Sequence, residues 1–318
     1  MAKVVLMGSP EYAIPTLAAL HAQHQVVLVV TQPDRRQGRG RKLSAPPVKV
    51  QALELGLPVW QPTTLRSADA AARLRETGAD VYVTAAIGLL LPKTVLALPP
   101  HGTLNLHASL LPRWRGAAPV AQAILHGDAE TGVTLMRTDP GIDTGPILAQ
   151  VRCPIRADDT TAALTERLAQ QGADLLVETL PRWLAGQIEP QPQPAEGVTY
   201  APRLTKDDGR IDWTLPAEQI ARMLRAYTPW PGAYTAYQGK RLRLLRANAL
   251  PATSIDASFD ASIEEPPGTV FTLAGGQIAV ATGQGALALH ELQLAGKKAQ
   301  PIEVFLRGQR AFVGATLG

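Results

Sequence analysis

Cysteine is almost missing from this chain: Cys153 is the only one in 318 residues. That excludes an internal disulfide and any multi-cysteine metal cluster. In V-R-C-P the residue reads as a structural thiol, since most free cysteines behave as small hydrophobes. Long apolar runs are missing too. The richest, Ala85 to Leu91, is cut off by Pro92, well short of the roughly 18 residues of a membrane span. The opening M-A-K-V-V-L-M-G-S-P-E has too short an apolar run for a signal peptide, so a soluble cytoplasmic protein is expected. Glycine is scarce where a dinucleotide site would need it. After the first apolar run the chain reads G-S-P-E-Y-A, with one glycine where G-x-G-x-x-G has three, and no NAD or ATP site is expected. Charge excess is small, a net +4, which permits a polyanionic partner without demanding one.

What is present in the first half is an alternation of short apolar runs with longer amphipathic ones, the pattern of βαβ units and a mostly parallel sheet. Strands are expected at 3–7, 26–30, 81–84, 102–106, 133–137 and 147–152, and helices at 11–22, 46–55, 67–77, 117–126 and 160–180. Pro15 is tolerated only near a helix start. The length allows two domains. Residues 1–188 read as a Rossmann-like α/β domain. Residues 189–208, containing E-P-Q-P-Q-P-A-E-G, have the composition of an extended, partly stiff linker. In 209–318 a helix at 217–227 and strands at 233–238, 242–247, 268–272, 277–282 and 285–293 suggest a small β-barrel.

One stretch concentrates chemistry. In N-L-H-A-S-L-L-P-R-W-R-G, Asn105 and His107 stand two apart, so on a strand they share one face. Asp143 lies between Gly141 and Gly145 in G-I-D-T-G, which suits a tight loop folding back over the strand end. Side chains at the carboxyl ends of strands are where α/β sheets do chemistry. An Asn amide can donate to an oxygen gaining negative charge. A His can donate beside it or move a proton, and an Asp can orient the His. An Asn-x-His pair alone equally fits a structural hydrogen-bonded pair.

The longer pattern, N-L-H-A-S-L-L-P at 105–112 with G-V-T-L-M-R-T-D-P-G-I-D-T-G at 132–145, resembles the signature of the folate-dependent formyltransferases. The likeness runs on through T-Q-P-D-R at 31–35, G-R-G-R-K-L at 38–43, G-D-A-E-T-G-V-T at 127–134, R-I-D-W at 210–213, P-W-P at 229–231 and A-G-K-K-A at 295–299. Over nearly the whole length it is similar to the branch that formylates methionyl-initiator tRNA. The resemblance implies 10-formyltetrahydrofolate as formyl donor, no metal, and an OB-like carboxyl-terminal barrel. It implies Asn105, His107 and Asp143 as the catalytic set. For the folate it implies Ser109, Leu110, Leu111 and Pro112 on one side. The resemblance also implies the loop A-A-I-G-L-L-L-P, with Ile87, Gly88 and Leu89, as the opposite wall; the common family pattern has a Tyr in place of Ile87.

Cations form the last group. R-R-Q-G-R-G-R-K at 35–42 holds five, Arg35, Arg36, Arg39, Arg41 and Lys42, on what reads as a mobile surface loop. By itself it fits a solvated charge run; the resemblance implies an arm reaching the acceptor end of the tRNA, with Arg39 between the glycines. Arg241 and Arg243 alternate with Leu242 and Leu244, and Lys297 and Lys298 sit in a Gly-flanked loop, together a surface suited to an RNA backbone. A monomer is expected. Two other functions fit parts of the pattern: a folate-dependent formyltransferase acting on a sugar-nucleotide amine, and a non-catalytic RNA-binding protein on an enzyme fold.

Overall fold

The computed structural model describes residues 1–37, 42–250, 265–273 and 275–318. Arg39 and Arg41 lie outside the described residues. The chain divides into two compact units: Met1–Val120 with Ala129–Ile155 and Ala163–Pro202, and Ala121–Asp128 with Arg156–Ala162 and Arg203–Gly318.

The strands of the first unit are Lys3–Gly8 (β1), Gln25–Val30 (β2), Arg35–Gln37 (β3), Lys42–Ser44 (β4), Val59–Trp60 (β5) and Val81–Ala85 (β6). Thr103–His107 (β7), Arg115–Gly116 (β8), Glu130–Arg137 (β9), Ile147–Pro154 (β10) and Tyr200–Ala201 (β11) follow. Among the described residues the main sheet has seven strands in the order β10-β9-β7-β6-β1-β2-β5. Strands from β7 to β5 in this order run parallel, and β9 is antiparallel to both β7 and β10. Parallel strands linked by helices are covered on both faces and carry unbroken apolar runs; Val4 through Met7 and Val81 through Val83 are buried accordingly. The chain builds outward from β1 to β2 and β5, then returns to the other side of β1 for β6 and β7. Crevices at the carboxyl ends of strands near such a reversal are where these sheets bind ligands.

The helices of the chain begin with Ile14–Gln23 (α1), Pro47–Glu54 (α2), Ala68–Glu76 (α3), Lys93–Leu96 (α4), Pro119–Leu125 (α5) and Thr161–Leu184 (α6). Pro15 falls in the first turn of α1, after a short 3₁₀ turn at Glu11–Ala13, so it removes no helical hydrogen bond. Helix α6 buries Leu164, Leu168, Gly172, Leu176 and Leu180, one residue per turn along a single stripe. A Cβ at Gly172 would stand 3.3 Å from Val133 and 3.7 Å from Leu106, so the glycine lets α6 lie close against β7 and β9.

Two expectations change. The basic stretch, expected as a loop without regular structure, starts and ends in a ladder of β3 against β4, with Arg36 opposite Leu43. The stretch from 189, expected as a linker, belongs to the first unit as far as Pro202. Gln191 exchanges backbone hydrogen bonds with Ile147 at 2.7 and 2.8 Å, and β11 pairs with β8. Proline-rich composition does predict extended backbone; whether that backbone finds a partner depends on distant residues.

The second unit holds Ala217–Ala226 (α7), Tyr234–Tyr237 (β12), Lys240–Leu250 (β13), Val270–Thr272 (β14), Ile278–Ala281 (β15), Ala286–Leu294 (β16), Gln300–Pro301 (β17) and Ile302–Gly308 (α8). Its described strands form an antiparallel sheet ordered β12-β13-β16-β15-β14, with β17 on β16. The terminal segment joins the two edges. Val270 N–H donates to Ala315 O (2.9 Å), Leu317 N–H to Gly268 O (2.9 Å), and Gly318 N–H to Ala236 O (3.2 Å). The sheet is thereby curled into a small barrel.

Cys153 lies on β10 and is 1% exposed; its thiol makes only weak polar contacts, accepting from Arg167 Nη2 at 3.6 Å and donating to the Pro154 carbonyl at 3.8 Å. We expect Cys153→Ser to leave turnover within about threefold and stability within about 2 kcal/mol. Thiol reagents should not label the native protein; loss of activity on brief thiol blocking would contradict this placement.

Candidate active site

Three side chains converge at the carboxyl end of β7. Asn105 and His107 stand on one face of that strand, and Asp143 arrives on the loop between β9 and β10. Asn105 Nδ2 donates to Asp143 Oδ1 (3.4 Å), and His107 Nδ1 is 3.5 Å from Asp143 Oδ2. The backbone N–H of Gly116 donates to the same Oδ2 at 2.8 Å. The geometry therefore brings together all three residues singled out from the sequence.

Each orientation follows from what its partners can accept or donate. Asp143 only accepts, so the amide nitrogen of Asn105 must face it, leaving Oδ1 to face the Thr84 hydroxyl 2.8 Å away. Thr84 is the last residue but one of the neighbouring strand β6, opposite Asn105 in the parallel ladder. His107 Nε2 donates to the Trp114 carbonyl at 2.8 Å, because a carbonyl can only accept. A carboxylate oxygen then faces Nδ1, so this pair of atoms can hold a proton between them. His107 is 6% exposed and Asn105 half-buried, which makes the amide, not the imidazole, the group presented outward.

The Asp143 loop is tight for a different reason than expected. Gly141 and Gly145 are not in the left-handed region; Asp143 itself is, at φ 52°. The glycines are needed for space: a Cβ at Gly145 would overlap the Arg137 carbonyl, and one at Gly141 the Thr144 side chain. Asp is among the few residues that tolerate positive φ.

The candidate folate residues divide. Ile87, expected in a pocket wall, is 6% exposed and packs in the core with Val5, Met7 and Tyr82. Its carbonyl instead faces the crevice side chains, accepting from Gln32 Nε2 at 2.9 Å. Ser109 and Leu111 are also buried. The Ser109 hydroxyl donates to Arg113 O (2.6 Å), and Leu111 N–H donates to Thr134 Oγ1 (3.1 Å), so both residues stabilise the turn. Gly88, Leu89, Leu110 and Pro112 retain exposure, and Gly88, at φ 66°, has no room for a Cβ beside Gln32. Leu90, 61% exposed, is the apolar side chain that this loop presents. Trp114 is packed, 5% exposed, with the Arg113 guanidinium 4.4 Å from its ring centre, and offers no open face for a base.

Arg35 and Arg36 are exposed on β3, and Lys42 lies on β4. In the second unit Leu242 and Leu244 are buried, and Arg241 and Arg243 take the other face. Arg241 stacks over Tyr234, 3.4 Å from its ring centre. Arg243 is half-buried, with Nη1 3.5 Å from Gln293 Oε1; Gln293 in turn donates to the Lys297 carbonyl at 3.1 Å. Lys297 and Lys298 are exposed on the turn before β17. The ladder thus gathers these cations at one end of β13 and β16.

Sequence reading missed Thr84, Gly116, Thr199 and Gln193. Thr199 accepts from Trp114 N–H through its hydroxyl oxygen at 2.9 Å, and Gln193 touches the Asp143 loop. No local pattern marks them, because their partners lie tens of residues away. No group of three or more His, Cys, Asp or Glu able to hold a metal occurs among the described residues.

A mostly parallel α/β unit with an amide, an imidazole and a carboxylate at one strand end, followed by a barrel, defines a group-transferring enzyme. Residues 2–180 match Formyl transferase and residues 203–310 match Formyl transferase, C-terminal domain; the chain belongs to the formyl transferase family. The methionyl-tRNA formyltransferase of Myxococcus xanthus is 48% identical over 313 residues, 98% of this chain and 97% of that protein. That of Thiobacillus denitrificans is 48% identical over 317 residues, covering 99% of each. Among solved structures, an N-formyltransferase from Helicobacter canadensis with folinic acid and dTDP-3-aminofucose has TM-score 0.65 at 17% identity, covering 91% of this chain and 99% of that one. HypX of Aquifex aeolicus with tetrahydrofolic acid has TM-score 0.61 at 18% identity, covering 98% of this chain and 48% of that one. At such identities these two show the shared fold.

Proposed function

We propose that this chain transfers the formyl group of 10-formyltetrahydrofolate to the α-amine of methionine on initiator tRNA. The observation carrying the chemistry is the convergence of Asn105, His107 and Gly116 on the Asp143 carboxylate. Full-length relatives named for this reaction support the substrate. The folate would lie along Gly88, Leu89, Leu110 and Pro112 at the ends of β6 and β7, and it supplies an activated formyl group.

An α-amine has a pKa of about 8, so about a tenth of it is neutral at pH 7, and this fraction can attack. Asn105 Nδ2, held outward by Thr84, donates to the formyl oxygen as negative charge develops there. Asp143 accepts the proton that the amine loses as the new C–N bond forms. His107 Nδ1 steadies that proton beside Asp143 Oδ2, and the pair returns it to the folate nitrogen as the old C–N bond breaks. His107 therefore works through Asp143, its Nε2 being held by Trp114. No step needs a metal.

The tRNA is held by Arg35, Arg36, Arg39, Arg41 and Lys42 from the first unit and Arg241, Arg243, Lys297 and Lys298 from the second. A monomer suffices, since one chain carries every group named, and the reaction belongs in the cytoplasm, where initiator tRNA is charged and used. No helix among the described residues is long and apolar enough to cross a membrane.

The experiment is incubation with 10-formyltetrahydrofolate and methionyl-initiator tRNA, followed by analysis for formyl-methionine, with amino-sugar nucleotides as rival acceptors. Formylation of the sugar alone would overturn the substrate. tRNA affinity should also fall with salt, and Arg39→Ala or Arg241→Ala with Lys297→Ala should flatten the slope by about 0.7–0.9 per phosphate contact removed. Unchanged slopes would place the tRNA elsewhere.

A further inference from the structure

We propose that Gln193, on the segment after α6, is the positioning residue for Asp143. Its amide nitrogen donates to the carbonyls of Asp143 and Gly145, both at 2.8 Å. Its amide oxygen accepts from Arg115 Nε (3.0 Å) and Nη2 (2.6 Å). Two donors and two lone pairs are the whole capacity of a Gln amide, and all four are engaged.

The placement matters because the Asp143 carboxylate is located by two backbones. Its own loop sets where Cα lies, and that loop is turned at a residue in the left-handed region. The N–H of Gly116 fixes Oδ2, and Gly116 is the residue after Arg115. Gln193 grips both: the loop through two carbonyls, the β8 backbone through the Arg115 guanidinium. Nearby, Thr199 and β11 hold Trp114 and Gly116 from the same segment, so this strap secures the carbonyl that orients His107 as well. Gln193 is half-buried, which protects these hydrogen bonds from exchange with water. Misplacing a reacting group by about 1 Å can cost on the order of 100-fold in rate.

This inference rests on the role given above to Asp143. The test uses the full-length chain with Gln193→Glu, Gln193→Ala, Asp143→Asn and the double variant Gln193→Glu/Asp143→Asn. Gln193→Glu keeps the side chain's size and its bonds to Arg115, but puts oxygen where two carbonyls need donors. It should lower kcat by about 10- to 100-fold, with KM for both substrates and the melting temperature near wild type. Gln193→Ala should lower kcat to a similar extent. In the Asp143→Asn background, Gln193→Glu should cost no more than about twofold further, because the two act as one unit. Wild-type kcat in Gln193→Glu beside a crippled Asp143→Asn would overturn the positioning role alone. A fully additive loss in the double variant, or a kcat loss matched by a fall in melting temperature, would do the same. Wild-type turnover in Asp143→Asn would overturn both the mechanism and the inference built on it.

Discussion

Asp143→Asn should lower kcat by about 10²–10⁴-fold, the range of general acid–base contributions, with folate and tRNA binding little changed. Asn is the fitting replacement because it tolerates the left-handed backbone at this position and can still accept from the Gly116 N–H. What it loses is the negative charge and the ability to take a proton. Asn105→Ala removes the donor aimed at the formyl oxygen and should cost about 10²–10³-fold. Combined, the two should cost less than the product of the single losses, since they serve one transition state. Single-turnover formylation with saturating folate and tRNA separates chemistry from binding. Wild-type rates in Asp143→Asn would make its hydrogen bonds purely structural.

Removing residues 315–318 should destabilise the second unit by on the order of 3–5 kcal/mol: about 1 kcal/mol for each of three lost hydrogen bonds and about 2 for re-exposing Leu317. Leu317 is 3% exposed, and the segment satisfies Val270, Gly268 and Ala236 at the two sheet edges. The expected result is an earlier denaturant midpoint for the second unit, with folate binding by the first unit retained. KM for charged tRNA should rise, because Arg241, Arg243, Lys297 and Lys298 are arranged by the same sheet. An unchanged midpoint would mean that the barrel closes without its terminal segment.

The elements that sequence reveals here are those whose cause is local. The buried parallel strands announce themselves as V-V-L-M and V-V-L-V-V because both of their faces are covered. Pro15 marks a helix start, and the Leu242/Leu244 alternation separates the inner and outer faces of β13. The two-residue spacing of Asn105 and His107 places both on one face wherever β7 lies in the sheet. Short elements such as β5, α4 and α8 escape notice because a few residues carry too little periodicity. Helix α8 is stabilised by Ile302 and Phe305, with Phe305 packed edge-on 5.0 Å from Phe312.

Other features depend on partners distant in the chain. Nothing in A-A-I-G-L-L-L-P says that Ile87 turns into the core while Leu90 faces out. Ser109 looks like a ligand-binding hydroxyl until the turn brings the Arg113 carbonyl to it. The Pro-rich stretch from 189 reads as a free linker, yet Gln193 finds Asp143 fifty residues earlier and Arg115 seventy-eight residues earlier. The sequence by itself determined the order of the longer strands and helices, the pairing of Asn105 with His107 on one face, and the family signature, because each lies in a local pattern. Only the tertiary structure decided which way Ile87 points, which atom of His107 meets Asp143, and what holds that carboxylate, because hydrogen bonds between distant segments exist only once the chain has folded.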